Sequence, residues 1–223
     1  KTPELAPGDK GYNEVKNYVK EKFDAFYNAI KSSSANLADY ADVDSVTKIY
    51  LINELGKNWD SGVSSLYFTY KQDENGNWKF YGSPVWDYDN SLGNAKGVEW
   101  DLGNIGVNDY EQYSGWWCKY KDKGKNSNST NNVMNLISRN KNVIKAAPQV
   151  WFEDFVPALK TFMSSGVSEG EIYSSDVYYN YLKGSAEMNY KSGWLLNTGS
   201  WIADHSKLNV ATFDYSTGKY TVS

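Results

Sequence analysis

Apolar residues recur along this chain with two different periods, and the change of period locates its main elements. From Tyr12 onward, Val15, Val19, Phe23, Phe26 and Ile30 follow one another at steps of three and four, which predicts an amphipathic helix closed by Ser32-Ser33-Ser34. A second helix carries Val46, Ile49, Ile52 and Leu55 on its buried stripe. Asp44 or Ser45 is placed to accept its first free N–H groups, and Gly56 to end it in the left-handed conformation. The period then shortens. Leu66 to Lys71 and Trp78 to Gly82 are aromatic, alternating segments on either side of Asn75-Gly76, a strong short-range hairpin signal.

The pattern is less regular downstream. Residues 91–124 hold many glycines and several aromatics without a sustained period, and predict a long irregular excursion of the kind that often serves a site. Residues 125–132 are linker-like. Their Asn128-Ser129-Thr130 matches a glycosylation sequon, read here as chance in an Asn/Ser-rich run. Helical spacing returns at Val133, Met134, Leu136 and Ile137, then at Val150, Trp151, Phe155, Leu159 and Phe162, with a kink or break expected at Pro157. Residues 176–190 read as a further helix with a tyrosine-rich face, capped by Ser174 or Ser175. The tail from Asn209, turning at Ser216-Thr217-Gly218, reads as a short hairpin. The fold class is α+β: a mainly helical body carrying a functional β-hairpin.

Composition narrows the possible functions. A length of 223 residues suits one domain, and a net charge of −4 argues against a nucleic-acid surface. No apolar run reaches membrane-spanning length, and no signal peptide stands at the start. The single cysteine, Cys118, excludes an internal disulfide and a cysteine-based metal site. Among 23 basic residues only Arg139 is arginine, a bias that points to an AT-rich bacterial genome. Nine Trp and nineteen Tyr are explained first by an aromatic core, and alternatively by an exposed sugar- or protein-binding surface.

The candidate chemistry lies at the open end of the first hairpin. Asp60 precedes the first strand, and Asp87 and Asp89 follow the second; a hairpin brings its ends together, so these carboxylates should meet. Asp87 and Asp89 share one face of an extended segment and offer oxygen ligands to Mg²⁺. An EF-hand is rejected on register, because it needs Gly where Leu92 stands and Glu where Val98 stands. The only histidine, His205, is read as structural, since no Gly-x-Ser-x-Gly elbow accompanies it. No histidine cluster for zinc and no phosphate loop of the Gly-x-x-x-x-Gly-Lys type occurs. Paired carboxylates flanking a sugar, Asp60 with Asp87, leave glycoside hydrolysis open.

The segments Ile52–Asp60, Ser64–Lys71 and Gly82–Asn94, with their Asn-x-Asp and Pro-x-Trp-Asp-x-Asp motifs, closely resemble the CotH kinase family of spore-coat-type atypical protein kinases. The match is clear over residues 39–94, and a weaker echo runs through the helices between Val133 and Phe162. The resemblance implies the C-terminal lobe of a protein-kinase-like fold, with ATP and Mg²⁺ as cofactors and a protein Ser or Thr hydroxyl as acceptor. It places catalysis on Asp60 and Asp87 and the metal on Asp87 and Asp89. Asn58 and Ser65 fall in the cofactor-binding positions, Ser65 standing where spore-coat members carry a metal-binding Asn. No Gly-rich nucleotide loop and no strand with a phosphate-contacting Lys precedes Asp60, so the expectation is one kinase-like domain over residues 1–223 lacking an N-terminal lobe. The alternative from another class is a non-catalytic secreted or cell-surface module, since relatives occur in adhesins and polysaccharide-degrading assemblies. Either reading expects an extracellular or cell-surface location.

Overall fold

A computed structural model describes residues 5–56, 58, 65–88, 91, 133–155, 157, 158, 161, 211–214 and 219–222. Helix α1 (Tyr12–Lys31) and helix α2 (Val43–Gly56) lead the chain, separated by a short 3₁₀ turn at Leu37–Asp39. Strands β1 (Phe68–Gln72) and β2 (Trp78–Gly82) form the first hairpin. Helices α3 (Val133–Arg139) and α4 (Lys141–Val150) follow, and a π-helical turn, Trp151–Phe155, extends α4. Strands β3 (Ala211–Asp214) and β4 (Lys219–Val222) pair antiparallel, with Ala211 opposite Val222 and Asp214 opposite Lys219, as the tail pattern predicts. Mixed helix with small antiparallel sheets is the α+β class.

The helix α2 is the centre of the body, packing against α4, α3 and β2. Its expected stripe of Val46, Ile49 and Leu55 is buried, with Ile52 partly so, yet Thr47, Tyr50, Leu51, Asn53 and Glu54 are buried as well. A helix covered on most of its circumference needs no strong amphipathic period, which is why its stripe understates its burial. Its start is earlier than expected, with the cap two residues ahead of Asp44. Asp42, rather than Asp44 or Ser45, caps it: Asp42 Oδ1 accepts the Ser45 amide at 2.8 Å. Tertiary pairing decides this, because the Asp42 amide donates to the Phe80 carbonyl at 2.8 Å, next to the bridge between Ala41 and Phe80, and so fixes the chain just ahead of the helix.

The first hairpin runs in the register Phe68↔Gly82, Tyr70↔Phe80 and Gln72↔Trp78. Its inward face carries an aromatic stack that starts in the core. The Phe26 and Phe80 rings lie 4.7 Å apart, Phe80 and Tyr70 4.7 Å, and Tyr70 and Trp78 5.2 Å. Tyr50, Trp151 and Phe152 are also buried, so the aromatic load does build the core; Tyr18, Tyr67, Trp78 and Trp86 nevertheless remain exposed. Helix α1 matches its predicted stripe at Phe26 and Ile30, but Val19 is 54% exposed.

Between α3 and α4 the side chain of Asn140 accepts the Asn142 amide at 2.9 Å and donates to the Ile30 carbonyl at 3.1 Å, tying the end of α1 to the start of α4. The regular α-helix ends at Val150, ahead of Pro157, and the π-helical turn covers Trp151–Phe155. The break expected at Pro157 therefore falls upstream of it. The helix expected at residues 176–190, the excursion beyond Ser91, Cys118, the sequon at Asn128 and His205 lie outside the described residues.

Candidate functional site

The open end of the β1–β2 hairpin is built by three pieces of chain: the end of α2 with Asn58, the approach to β1 at residues 65–67, and the exit from β2 at residues 83–88. The hairpin continues past its last strand pair. The Ser83 amide donates to the Tyr67 carbonyl at 3.3 Å, and the Thr69 and Ser83 hydroxyls lie 2.8 Å apart. Beyond that point the two arms meet through side chains. Ser65 Oγ donates to Asp87 Oδ2 at 3.1 Å, joining residues 22 apart in sequence.

Both members of this pair stand on left-handed backbone, Ser65 at φ +47° and Asp87 at φ +55°. Non-glycine residues seldom adopt that conformation, and their occurrence together at one spot marks a place where the surroundings dictate backbone geometry. Aspartate tolerates it better than most because its short polar side chain can bond locally. Asp87 is exposed and Ser65 half-buried, and their contact sets two hard oxygens side by side. Asn58 is 1% exposed, and its amide donates to the Asn53 carbonyl at 3.3 Å, carrying the chain on from the end of α2. Asp60 and Asp89 lie outside the described residues, so of the expected site residues the structure brings together Ser65 and Asp87 and seats Asn58 at the helix end.

Two features of this region run against the pattern-based reading. Gly56 does not take a left-handed conformation; it lies within α2. Its importance is spatial, since a Cβ there would fall 2.8 Å from Cε1 of Tyr88. Tyr88 stands between the two aspartates in sequence. Its hydroxyl donates to the Ile52 carbonyl at 2.7 Å, and its own carbonyl accepts from the Ser91 hydroxyl. Strand alternation does not foretell this contact: Asp87 is left-handed rather than part of the extended segment the sequence suggests, and residues 84–87 are all exposed.

Beside the site, a groove of about 640 Å³ runs between α2, residues 82–85 and the segment Asp154–Ala158. Ile49, Ile52, Leu55 and Phe155 make it largely apolar. At its rim Lys48 bridges Asp44 at 2.8 Å and Asp154 at 3.2 Å, and these contacts, Asp44 first, raise the lysine's pKa. Tyr67 and Trp86 meet edge to face with centroids 6.2 Å apart, next to the Ser65–Asp87 pair. Among the described residues no three His, Cys, Asp or Glu side chains gather as a metal site, and no helix is long and apolar enough to cross a membrane.

Comparison with known proteins adds one positive finding. No curated protein and no solved structure matches the chain. The family model described as CotH kinase protein matches residues 3–144, well over half of the chain and all of the segment that carries the hairpin and both of its arms. The resemblance carried by the Asn-x-Asp and Pro-x-Trp-Asp-x-Asp motifs is therefore one of descent, and the chain belongs to the CotH kinase family.

Proposed function

We propose that this chain is a single kinase-like domain, built as the C-terminal lobe of a protein-kinase-like fold, that transfers the γ-phosphate of ATP to a Ser or Thr hydroxyl of a protein. The observation that carries this reading is the approach of Ser65 Oγ to Asp87 Oδ2 at 3.1 Å, on left-handed backbone, at the meeting point of the two hairpin arms. A carboxylate and a hydroxyl offered together to solvent suit Mg²⁺, which takes few protein oxygens and keeps waters and phosphates in its remaining positions. When bound, the ion would offset the negative charge of the phosphates. Asp87 would hold it, with Asp89 as neighbour and Ser65 as the second oxygen. Asn58, expected from the resemblance at a cofactor-binding position, is enclosed at the end of α2 and would support the site from beneath rather than touch the nucleotide. Asp60 would orient the acceptor hydroxyl and take its proton as the γ-phosphorus passes from the ADP oxygen to the acceptor oxygen. Catalysis of this kind consists of positioning and charge neutralisation, which is consistent with a site made of strand ends rather than of a buried nucleophile.

The experiment is Mg²⁺-dependent stabilisation by a non-hydrolysable ATP analogue in a thermal shift assay, followed by label transfer from γ-labelled ATP. Asp87→Ala should abolish the stabilisation, while Asp60→Asn should keep binding and lose transfer. Absence of any Mg²⁺–nucleotide effect on the wild-type chain would defeat the proposal.

Exposed aromatics favour a second reading, a non-catalytic extracellular or cell-surface module that contacts a partner protein or polysaccharide. Trp86 is 64% exposed, Trp78 51% and Tyr67 42%. Retention on insoluble polysaccharide that is lost in Trp86→Ala, without any nucleotide effect, would select it.

A further inference from the structure

We propose that Tyr88 is a positioning residue for Asp87: its ring, seated on Gly56, and its hydroxyl, bonded to α2, hold the preceding residue in the left-handed conformation from which its carboxylate reaches Ser65. The proposal rests on the phosphotransfer reading above and names the device that sets its metal-binding oxygen.

The backbone of Asp87 does not match its exposed setting. Asp87 is exposed, its carboxylate is engaged by the hydroxyl of half-buried Ser65, and its φ is +55°. An exposed hydrogen bond of this kind exchanges readily with water and is a poor anchor for that conformation, whereas a neighbour that is itself fixed is a firm one. The next residue has the required attachments. Tyr88 is half-buried; its hydroxyl donates at 2.7 Å to the carbonyl of Ile52 in the last turn of α2, and its main-chain carbonyl accepts from Ser91, which is 1% exposed. Its ring occupies the space that any side chain at position 56 would fill, with Cε1 2.8 Å and the hydroxyl oxygen 2.9 Å from a Cβ built there. A residue tied at its ring, its hydroxyl and its carbonyl leaves the residue before it little torsional freedom. The helix that supplies the seat has most of its residues buried, so the restraint is referred to the core rather than to a loop. The end of that same helix leads into Asn58, which puts both sides of the candidate site on one support.

Two variants separate positioning from mere packing. Tyr88→Phe keeps the ring and removes the bond to Ile52; Gly56→Ala keeps the tyrosine and displaces its ring. The first measurement titrates Mn²⁺ by electron paramagnetic resonance in the presence of a non-hydrolysable ATP analogue. The expected result is an affinity about fivefold weaker in Tyr88→Phe, the size of one lost hydrogen bond, and weaker still in Gly56→Ala, with saturating metal restoring full occupancy. The second needs no metal. Urea unfolding of Tyr88→Phe, Ser65→Ala and the double variant should be non-additive, because Tyr88 acts on the Ser65–Asp87 contact. Wild-type Mn²⁺ affinity in Tyr88→Phe, together with additive unfolding energies, overturns the assignment even if Gly56→Ala fails to fold. Wild-type protein that binds no Mn²⁺–nucleotide overturns the phosphotransfer reading, and with it the metal-site role, whereas a normal wild type beside an unaffected Tyr88→Phe overturns the positioning role alone.

Discussion

Glycines at three positions show how one residue type meets two different demands. Gly76 stands at φ +81° with nothing near the place of a Cβ, so its demand is conformational. Gly56 and Gly82 have no positive φ; their demand is room. A Cβ at Gly82 would come within 2.5 Å of the Ser45 carbonyl oxygen and 3.0 Å of Ile49 Cγ2, while the Gly82 amide donates to Ser45 Oγ at 3.1 Å. The expected outcome is that Gly82→Ala costs about 1–3 kcal/mol through overpacking against backbone that cannot yield. Gly76→Ala costs about 1 kcal/mol through dihedral strain alone. Gly76→Asn should recover much of that loss and no comparable rescue should exist at 82. Urea midpoints of the three variants check the ordering. The distinction bears on what could be read from the chain. Gly76 was legible because a turn glycine is defined by its immediate neighbours. Gly56 was legible as important but not for the right reason, since the ring that needs its space lies 32 residues away. The N-cap of α2 went the same way: Asp42, Asp44 and Ser45 are chemically equivalent candidates, and pairing with Phe80 selects among them.

At the scale of elements, the hairpin closes by a device that its Asn-Gly dipeptide alone does not specify. The Gly76 amide donates to the Asp73 carbonyl at 3.0 Å and the Asp73 amide to the Asn77 carbonyl at 2.8 Å, a three-residue loop with glycine in the left-handed position. The Asp73 carboxylate completes it, accepting the amides of Asn75 at 2.9 Å and Asn77 at 2.8 Å and facing Lys79 at 3.1 Å. These contacts, the Asn77 amide foremost, lower its pKa to about 2. A carboxyl group whose folded pKa is depressed favours the ionised, folded form. Its contribution is complete above about pH 4, the usual aspartate value, and is lost as pH falls through about 2. The Asn75 and Asn77 amide resonances should therefore move together with a midpoint near 2 in acid titration, and Asp73→Asn should abolish that titration while leaving the loop closed. Asn140 makes a second element-level prediction. It caps α4 and reaches the carbonyls of Ala29 and Ile30, so Asn140→Ala removes a cap and strands buried acceptors. A loss of about 2–4 kcal/mol in denaturant unfolding is expected, against less than 1 for an exposed alanine substitution on α1 such as Asn17→Ala. Nothing in the local pattern distinguishes Asn140 from the run of asparagines nearby, because its value lies in a contact with a helix more than a hundred residues earlier.

For the molecule as a whole, the family match and the folded core do not end at the same place. The match stops at residue 144, inside α4, whereas the core continues through Ala147, Val150, Trp151 and Phe152. The strand ends that carry Ser65 and Asp87 have no rigidity of their own. They are referred to α2 through Gly82, Tyr88 and Asn58, and α2 is in turn held by α3 and α4. A fragment ending at Ile144 would strip the core of the largest fully buried side chain among the described residues, since Trp151 is fully enclosed and stacks on Phe155 with ring centroids 5.3 Å apart. Such a fragment is expected to lose cooperative unfolding by circular dichroism and, with it, any Mg²⁺–nucleotide stabilisation, although every motif residue is retained. Trp151→Ala in the full chain grades the same effect, with an expected cost of about 3–5 kcal/mol. If the fragment unfolds as cooperatively as the parent and binds as well, the motif segment is self-sufficient and the dependence of the site on the second helical pair is wrong. The motifs were readable because chemistry concentrates residue types at short spacing. Their support was only partly readable, because the side chains that fix α2 arrive from segments whose order along the chain says nothing of their proximity.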